Sequence, residues 1–432
     1  MRFLIALIGA LLLAAPASAR SPIDGQWVLA VDRFGTAEYW TLNLEARGSA
    51  VSGDRSGAAL SGTRRGARID FTVTDSRGGR FAFAGTVAGA RITGTADYPD
   101  HNKAGARLTH GFTARRLPDR PPGGPRTHDF APTDYANAFS ADRAPVLTIW
   151  PGDTVRTRTI DSGGVDAAGA TVALFGNPQT GPFFIAGAEP GDTVIVHILK
   201  LTPNRDWADS LDSIVSRALT PALAGKAGDL GKAVRWRLDR AGGFATPEGA
   251  VGALAGHRVA LRPMLGGLAL APPFGSPPMS TGDTGRAGGN MDFPEVIAGN
   301  RVLLPVYQPG GLLYLGDGHA LQGDGETSQY ALETSLDVEF RVELVKRKAI
   351  AMPRVESPGE WMVLGQAGSL DEALRAATSG LVTWLQQDRG LSLSEAAQVI
   401  GTSIRYSVPN LAGRSVGVAA RIDRAALPTA RP

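Results

Sequence analysis

The chain contains no cysteine in its 432 residues. A protein without thiols forms no disulfide bonds, has no thiolate nucleophile and cannot bind zinc through sulfur. Its stability must come from packing, and a chain of this length buries a large enough core without disulfide bonds. Any nucleophilic or metal chemistry must therefore use oxygen and nitrogen atoms.

Aromatic residues and clusters of like charge are also scarce. Aromatic residues form 7% of the chain, and the formal net charge is only +3, with the basic residues scattered singly. This distribution lacks the basic patch that is typical of nucleic-acid binding. Glycine, by contrast, occurs 55 times, which indicates many turns between short strands.

The one long apolar run lies at the beginning of the chain, in MRFLIALIGALLLAAPASAR. Arg2 is followed by apolar residues and then by small residues at 17–19, which is the order of a secretory signal peptide. The run is too short to span a bilayer, which needs about 20 residues. We expect residues 1–19 to be a signal peptide that is cleaved after Ala19. The protein would then be periplasmic or secreted in a bacterium, with no membrane span.

Residues 20–117 are predicted to form a small all-β domain. Short alternating runs such as Tyr39–Leu44 and Ile69–Val73 are separated by glycine-rich turns at roughly ten-residue spacing, which is typical of a sandwich or barrel. The meander resembles the calycin-like barrels that are appended to secreted enzymes. Residues 118–127, PDRPPGGPRT, form a stiff linker that marks a domain boundary.

Residues 128–432 are predicted to form a second, larger domain. Between Leu336 and Leu344 apolar and charged residues alternate, which predicts a half-buried antiparallel strand. Ser369 and Ser392 each precede a helical pattern, and Glu395 completes a capping box with Ser392. Gly390 is expected to end the first helix. The segment 204–249 is ambiguous, with a helical tendency over Ser210–Leu223.

The densest group of reactive side chains is the run LGDGHALQGDGE at 315–326. Asp317 and His319 are two residues apart, so they face the same side of an extended segment. A carboxylate and an imidazole can hold a divalent metal or exchange protons. Alternatively, the Asp-Gly pairs mark exposed turns. A second group, GGNMD at 288–292, either presents Asn290 and Asp292 to one centre or forms an ordinary turn.

Five segments, taken in order, resemble the acetamidase/formamidase family. The resemblance covers about 128–421, and each segment is weak alone whereas the ordered set is specific. The segments are PVLTIWPGDTVRTRTID (145–161), GNPQTGPFFIAGAEPGDTVIVHI (176–198), GGNMD (288–292), LPVYQPGGLLYLGDGHALQGDGE (304–326) and ALETSLDVEF (331–340).

The resemblance implies a β-sandwich core with α/β additions. The expected fold class is therefore mainly β, with a small calycin-like barrel first and a sandwich domain with C-terminal helices after it. The family hydrolyses short linear amides such as formamide and acetamide at a non-peptide C–N bond, releasing ammonia and a carboxylic acid. The resemblance also implies a small-molecule amide substrate and a homo-oligomer, which we expect to be a dimer.

Site residues are carried over from the positions that match the family's motifs. A divalent metal, zinc or alternatively calcium, is expected at Asp161, Asp317, His319 and Glu333, with no organic cofactor. The metal would activate a water molecule, and Glu326, aided by His319, would pass its proton to the leaving ammonia. Asn290, beside Asp292, would support the oxyanion. In a metal-free version, Glu326 and His319 would handle protons alone.

Two features leave the function open. Thr327–Tyr330 departs from the family, which usually has a glycine-containing run there, so Tyr330 is expected to narrow or reshape the pocket. The alternative to an enzyme is a secreted binding module on a catalytically silent scaffold, whose acidic loop would hold calcium or a polar ligand. The intact set of site residues favours an active enzyme.

Overall fold

The computed structural model describes residues 21–429, so the predicted signal peptide lies outside the described residues. Contacts between Cα atoms divide the chain into two compact units. One comprises the residues up to Phe34 together with Thr41–Asp119, and the other comprises Gly35–Trp40 together with the residues from Arg120 onward. The predicted boundaries at 117 and 128 stay predictions. Among the described residues, no helix has both the length and the apolar character needed to cross a membrane.

Eight strands, which lie in the first unit apart from the start of the second strand, close into a barrel in chain order, with the first strand pairing with the last. Apolar side chains fill its interior, and the rings of Phe71 and Phe83 stack with centroids 4.6 Å apart. The predicted small β-barrel is confirmed. Its strands are β1 Gly25–Arg33, β2 Thr36–Arg47, β3 Ala50–Arg55, β4 Ala58–Arg65, β5 Arg68–Thr74, β6 Arg80–Ala88, β7 Arg91–Pro99 and β8 Arg107–Arg116.

The larger unit is built mainly of strands, with two long helices near its end. Its strands are β9 Thr127–Asp129, β10 Ala138–Phe139, β11 Leu147–Ile149, β12 Thr154–Arg158, β13 Gln179–Ile185, β14 Thr193–Pro203, β15 Trp207–Leu211, β16 Ala233–Asp239, β17 Phe244–Pro247, β18 Val259–Ala260, β19 Met264–Ala269, β20 Met279–Ser280, β21 Thr284–Gly285, β22 Gly288–Asn290, β23 Arg301–Pro305, β24 Leu313–His319, β25 Leu336–Val345, β26 Arg354–Glu356, β27 Glu360–Ala367, β28 Arg405–Ser407 and β29 Val416–Asp423. The α-helices are α1 Pro221–Ala224, α2 Leu370–Arg389 and α3 Leu393–Ser403, and short 3-10 helices cover Ser216–Ala218, Gly252–Leu254, Asp324–Glu326 and Arg424–Ala426.

Two large sheets enclose the main core. One has nine strands in the order β28-β29-β27-β26-β23-β14-β25-β12-β9, and the other has six in the order β11-β13-β24-β19-β22-β21. Phe183 and Leu315 of the six-stranded sheet belong to one buried cluster with Val194 and Phe340 of the nine-stranded sheet. Because both sheets bury one face in this shared core, the unit contains the expected sandwich.

The nine-stranded sheet is covered on its other face by α2 and α3. In β14, Val194 faces the sandwich core, whereas Ile195 belongs to a second cluster with Leu381 and Trp384 of α2. Burial of both faces explains why the strand reads VIVHI rather than alternating apolar and polar residues. In the neighbouring strand β25, buried and more exposed residues alternate along most of its length, as predicted.

The predicted helix boundaries are confirmed, but one helical tendency is not. The Ser369 side chain accepts from the backbone of Glu372 at the start of α2, Gly390 ends it in a left-handed conformation, and Ser392 forms a capping box with Glu395. The segment Ser210–Leu223 contains the end of β15, a 3-10 turn and the start of the four-residue α1 instead. Strand β15 pairs with β16, so long-range pairing overrides the local helical preference.

Candidate active site

Four short segments between residues 290 and 333 meet at one end of the six-stranded sheet. Strand β24 ends with Asp317 and His319, and β22 leads into Asp292. A 3-10 turn ends at Glu326, and Glu333 forms an isolated bridge with His319. All five side chains are at most 7% exposed, so this acid cluster is closed to bulk solvent.

Asp292 has one carboxylate oxygen held by amides and the other without a hydrogen-bond partner. The side-chain amides of Asn290 and Asn410 both donate to its Oδ2 at 2.5 Å. Its Oδ1 is buried and has no partner. Such a partly satisfied buried carboxylate is costly unless a cation or proton completes it.

Asp317 and His319 repeat this arrangement. The side-chain amide of Asn177 donates to Asp317 Oδ2 at 3.1 Å, and Asp317 Oδ1 has no partner. His319 Nδ1 lies 2.9 Å from Gln322 Oε1, and its Nε2 has no hydrogen-bond partner. Because the Gln322 oxygen can only accept, it fixes the imidazole proton on Nδ1 and leaves the Nε2 lone pair free.

Glu333 completes the pattern. Its Oε1 accepts from the backbone amide of Ala331 at 3.0 Å, whereas its Oε2 has no partner. His319 Nε2 lies 3.3 Å from Glu333 Oε1 and 3.4 Å from Asp317 Oδ1. One buried atom of His319 and one of each of its three acidic neighbours, Asp292, Asp317 and Glu333, thus have no hydrogen-bond partner.

These residues fit a divalent metal. Two overlapping sets could each hold an ion, Asp292 with Asp317 and His319, and His319 with Glu326 and Glu333, with ligand atoms in each set within 4.8 Å of one another. One imidazole with several carboxylates is a donor set that zinc and other divalent cations accept. The amides that hold the remaining atoms are the supporting contacts that metal ligands usually have.

The backbone beside the cluster leaves it room. A Cβ atom at Gly266 would lie 2.4 Å from Asp317 Oδ2, 2.6 Å from Asp292 Oδ1 and 3.0 Å from His319 Cε1. No other residue type fits at this position without displacing these side chains. The glycine on β19 therefore keeps open the space into which the cluster faces.

Burial, and after it the charges of neighbouring residues, shift the pKa values of the cluster residues. Burial raises the pKa of Asp292 well above its usual range, with a further contribution from the charge of Asp317. Burial likewise raises the pKa of Glu326 and of Glu333. Burial lowers the pKa of His319, but the charges of Glu333 and Asp317 outweigh it and hold the value well above normal. A divalent cation would oppose all four shifts, because its charge favours ionised carboxylates and a neutral imidazole.

Backbone strain concentrates at the same place. Asn177, Asp292, Asp317 and Glu326 have φ values of 58°, 44°, 54° and 43°. Non-glycine residues seldom adopt this left-handed region, and each instance costs on the order of 1–3 kcal/mol. The surrounding contacts therefore hold these four residues in a backbone conformation that is unfavourable for non-glycine residues.

A sequence model of the Acetamidase/Formamidase family matches residues 274–365, a span that contains all five acid-cluster residues. Over 60 residues, the chain is 40% identical to a protein of Schizosaccharomyces pombe whose name gives formamidase as a provisional assignment. That match covers 14% of this chain and 15% of the relative, so the chain spans only a small part of it.

Solved structures extend the comparison over most of the larger unit. The acetamidase of Yersinia enterocolitica superposes with a TM-score of 0.62 at 26% identity, over 71% of this chain and 95% of that chain. The resemblance to the acetamidase/formamidase family is confirmed. The acetamidase of Bacillus halodurans shares the fold, with a TM-score of 0.58 at 24% identity over 68% of this chain and 97% of that chain.

Asp161, one of the metal ligands expected from the acetamidase/formamidase resemblance, has a different partner. Its carboxylate lies 2.7 Å from the Arg205 guanidinium in an ion pair that is almost fully buried, and it also accepts from the backbone of Val165. It is absent from both sets of described residues that could hold a metal. An arginine at this distance neutralises the carboxylate, so we do not include Asp161 among the ligands.

Both ends of the Asn290 side-chain amide are already hydrogen-bonded within the site. Its amide nitrogen donates to Asp292, and its oxygen accepts from Asn177 at 2.8 Å. Its position fits the orientation of Asp292 at least as well as the oxyanion role predicted for it. That role stays a prediction.

Three amide side chains of this acetamidase/formamidase-like site were missed by sequence reasoning. Asn177, Gln322 and Asn410 hold Asp317, His319 and Asp292 respectively. Asn177 and Gln322 lie within the quoted segments, so those segments contained the signal. Asn410 follows Pro409 in an unremarkable loop, and only the fold brings it to Asp292.

Proposed function

We propose that the protein hydrolyses linear carboxylic amides to ammonia and the corresponding acid. One observation carries the proposal: Asp292, Asp317, His319 and Glu333 each have a buried atom without a hydrogen-bond partner, and the ligand atoms of the first three lie close enough to hold one metal ion. Support comes from the family match over residues 274–365 and from the similarity to the structure of the Yersinia enterocolitica acetamidase.

The reaction requires one water molecule and one shuttled proton. The water oxygen bonds to the amide carbonyl carbon, and Glu326 accepts the proton that the water loses. The C–N bond then breaks, and Glu326 returns that proton to the nitrogen, which leaves as ammonia. A carboxyl group with a raised pKa suits both steps, since proton transfer is most efficient when the pKa lies near the working pH.

The charge of Asp292 affects the protonation of Glu326. Burial, and next the negative charge of Asp292, hold the pKa of Glu326 well above its usual range. A carboxyl group in this setting can hold a proton that a solvated carboxylate would lose. The residue is also buried, which keeps bulk water from competing for that proton.

Asp292, Asp317 and His319 would hold a divalent cation, which we propose to be zinc, and Glu333 adjoins them through His319. When bound, such a cation supplies Lewis acidity, which polarises a carbonyl oxygen and lowers the pKa of a water molecule. Asn177, Asn410 and Gln322 keep the free atoms of these ligands turned inward. The amide network thereby sets the orientation of the ligands before substrate arrives.

The proposal is tested by measuring ammonia release from formamide, acetamide and larger primary amides, before and after chelation and metal restoration. Glu326→Gln should lower kcat by about 10²- to 10⁴-fold while the protein still binds one metal ion. Glu248→Gln, the same change at an exposed glutamate, is the control and should leave kcat unchanged.

Each other outcome assigns the site differently. Loss of metal from Glu326→Gln would make Glu326 a ligand rather than the proton shuttle. Amide hydrolysis that survives chelation would remove the metal from the mechanism and leave Glu326 and His319. Metal binding without release of ammonia from any amide would overturn the proposal in favour of a secreted binding module.

The proposal includes an exported location and a dimer, both of which rest on sequence reasoning alone. Mass spectrometry of the protein recovered from the periplasm or medium should give a chain that begins at Arg20. A chain that retains residues 1–19 in the membrane fraction would contradict export by a cleaved signal. Light scattering of the purified chain tests the dimer.

A further inference from the structure

A short loop next to the acid cluster exposes large apolar side chains. Leu174 is 76% exposed and Phe175 is 67% exposed, and they lie three and two residues before Asn177, which holds Asp317. Neighbouring exposed apolar side chains on a surface often mark a binding site. The loop is therefore a candidate for contact with substrate.

The loop is exposed but well anchored. The Asn137 side-chain amide lies 3.2–3.4 Å from the carbonyl oxygens of Leu174, Phe175 and Gly176, and Thr281 Oγ1 donates to the Gly176 oxygen at 2.7 Å. These bonds fix the backbone from which Phe175 projects. A fixed exposed aromatic side chain can bind a ligand at a lower entropic cost than a mobile one.

Tyr330 approaches Phe175 from the opposite segment. The two ring centroids are 6.5 Å apart, with the planes tilted by 44°. Tyr330 lies between Glu326 and Glu333, and burial together with the charges of Glu333, Glu326 and Asp317 raises the pKa of its hydroxyl. Its phenol is therefore within electrostatic reach of the acid cluster.

The two rings thus join the two segments that supply the site. One segment continues from Phe175 to Asn177 and Asp317, and the other contains Tyr330 between two cluster acids. The reacting groups of the acid cluster are at most 7% exposed, whereas Phe175 is 67% exposed, so the rings contribute an apolar rim where these segments meet solvent. An amide whose carbonyl reaches the cluster would place its acyl substituent against that rim.

We infer that the substrate is a primary amide with an apolar acyl group larger than acetyl, an aryl or arylalkyl amide, whose acyl group packs against the paired rings of Phe175 and Tyr330. This inference rests on the proposed amide hydrolysis and names its substrate class. The two rings contact each other at 6.5 Å, so a phenyl group would pack on their exposed surface, at the centroid distances of about 4.5–7 Å at which aromatic rings pair favourably. The methyl group of acetamide is too small to gain from either ring.

The experiment compares kcat and KM for acetamide, propionamide, benzamide and phenylacetamide, using the purified metal-loaded protein. The wild-type chain should have a kcat/KM for phenylacetamide at least about tenfold above that for acetamide. Phe175→Ala and Tyr330→Ala should each lower this ratio by about tenfold, mainly through KM for the aryl amide.

Leu393→Ala is the matched control. Leu393 is 66% exposed, close to the value for Phe175, but it lies on α3, on the helical layer over the other face of the nine-stranded sheet. The control should leave the substrate ratio unchanged. Tyr330→Phe separates ring from hydroxyl and should retain the wild-type ratio if the ring makes the contact.

The outcomes separate this inference from the function on which it rests. Turnover of acetamide with no preference for aryl amides, or a ratio that Phe175→Ala does not change, overturns the apolar rim and leaves amide hydrolysis standing. Failure to hydrolyse any amide overturns both.

Discussion

The barrel interior and the acid cluster are both closed to solvent, but they are filled by different chemistry. In the barrel, side chains such as Trp27 and Leu29 are fully buried and pack mainly against other apolar groups. In the acid cluster, polar side chains are equally buried, yet four of their atoms have no hydrogen-bond partner. The barrel side chains lie on regular strands, whereas Asp292, Glu326 and Glu333 of the acid cluster lie in the turns and loops beside β22 and β24.

This difference separates stability from function. Apolar burial stabilises a fold by roughly 25 cal/mol per Å², whereas an unpaired buried charge costs several kcal/mol. The left-handed backbone of Asp292, Asp317 and Glu326 adds to that cost. A region that is destabilised in two independent ways, within an otherwise well-packed unit, is best explained by chemistry that needs those groups.

The largest effect is expected from Asp317→Asn, which should lower kcat for amide hydrolysis by about 10²- to 10⁴-fold and weaken metal binding. Asparagine tolerates the left-handed backbone at this position. Because the change removes one buried negative charge, thermal unfolding of the chelated protein should not begin at a lower temperature. Ammonia assays, metal titration and calorimetry measure the three quantities.

An Asp317→Asn protein that unfolds at a clearly lower temperature would contradict this account. Asp317 would then be a structural residue like those of the barrel. The comparison between the two regions would lose its basis.

Trp27→Ala in the barrel should lower stability and leave metal binding unchanged. Removing a fully buried tryptophan, whose Nε1 also donates to the Ile23 carbonyl, should destabilise the barrel by about 3–5 kcal/mol. Metal binding should be unchanged, because no described barrel residue contributes to either metal-capable set. Urea unfolding followed by circular dichroism, with metal titration in parallel, would detect any coupling between stability and the metal.

Sequence reasoning succeeded where the signal is local. Strand β25 and the ends of α2 and α3 follow from alternation and capping residues within a few positions of each other. Asp317 and His319 were found for the same reason, since they share one short run.

Contacts between residues that are distant in the sequence could not be predicted from local patterns. Asn410 reaches Asp292 across 118 positions, and Arg205 reaches Asp161 across 44, so neither pairing leaves a local pattern. The helical tendency of Ser210–Leu223 failed similarly, because the pairing of β15 with β16 decides its conformation. Which carboxylate is free and which is neutralised depends on these long-range partners.

Asp161→Asn sharpens the comparison from within the larger unit. The change leaves the buried Arg205 guanidinium without its counter-charge, and breaking such a pair costs about 3–5 kcal/mol. Metal affinity should stay close to that of the wild-type protein. Loss of metal without loss of stability would restore Asp161 as a ligand, as the family resemblance implied.

Asp161→Asn can also affect catalysis indirectly. Arg205 donates to the carbonyl oxygen of Glu333 at 3.1 Å, so the ion pair helps to position the segment that carries this acid. A modest fall in kcat with unchanged metal content would therefore agree with a positioning role.

The smallest pair of effects compares two glycines. Gly266→Ala would push a methyl group against Asp317 and Asp292, and a displacement of this size should lower kcat by about 100-fold with little change in stability. Gly401→Ala, in α3 and with no atom within 4 Å of the added Cβ, should raise stability by about 0.5–1 kcal/mol and leave kcat unchanged. Activity and thermal unfolding of both variants would show whether the space beside the acid cluster serves catalysis or packing. If Gly266→Ala were as active as Gly401→Ala, catalysis would not need the open space beside Asp317 and Asp292. That result would contradict a metal bound in this space.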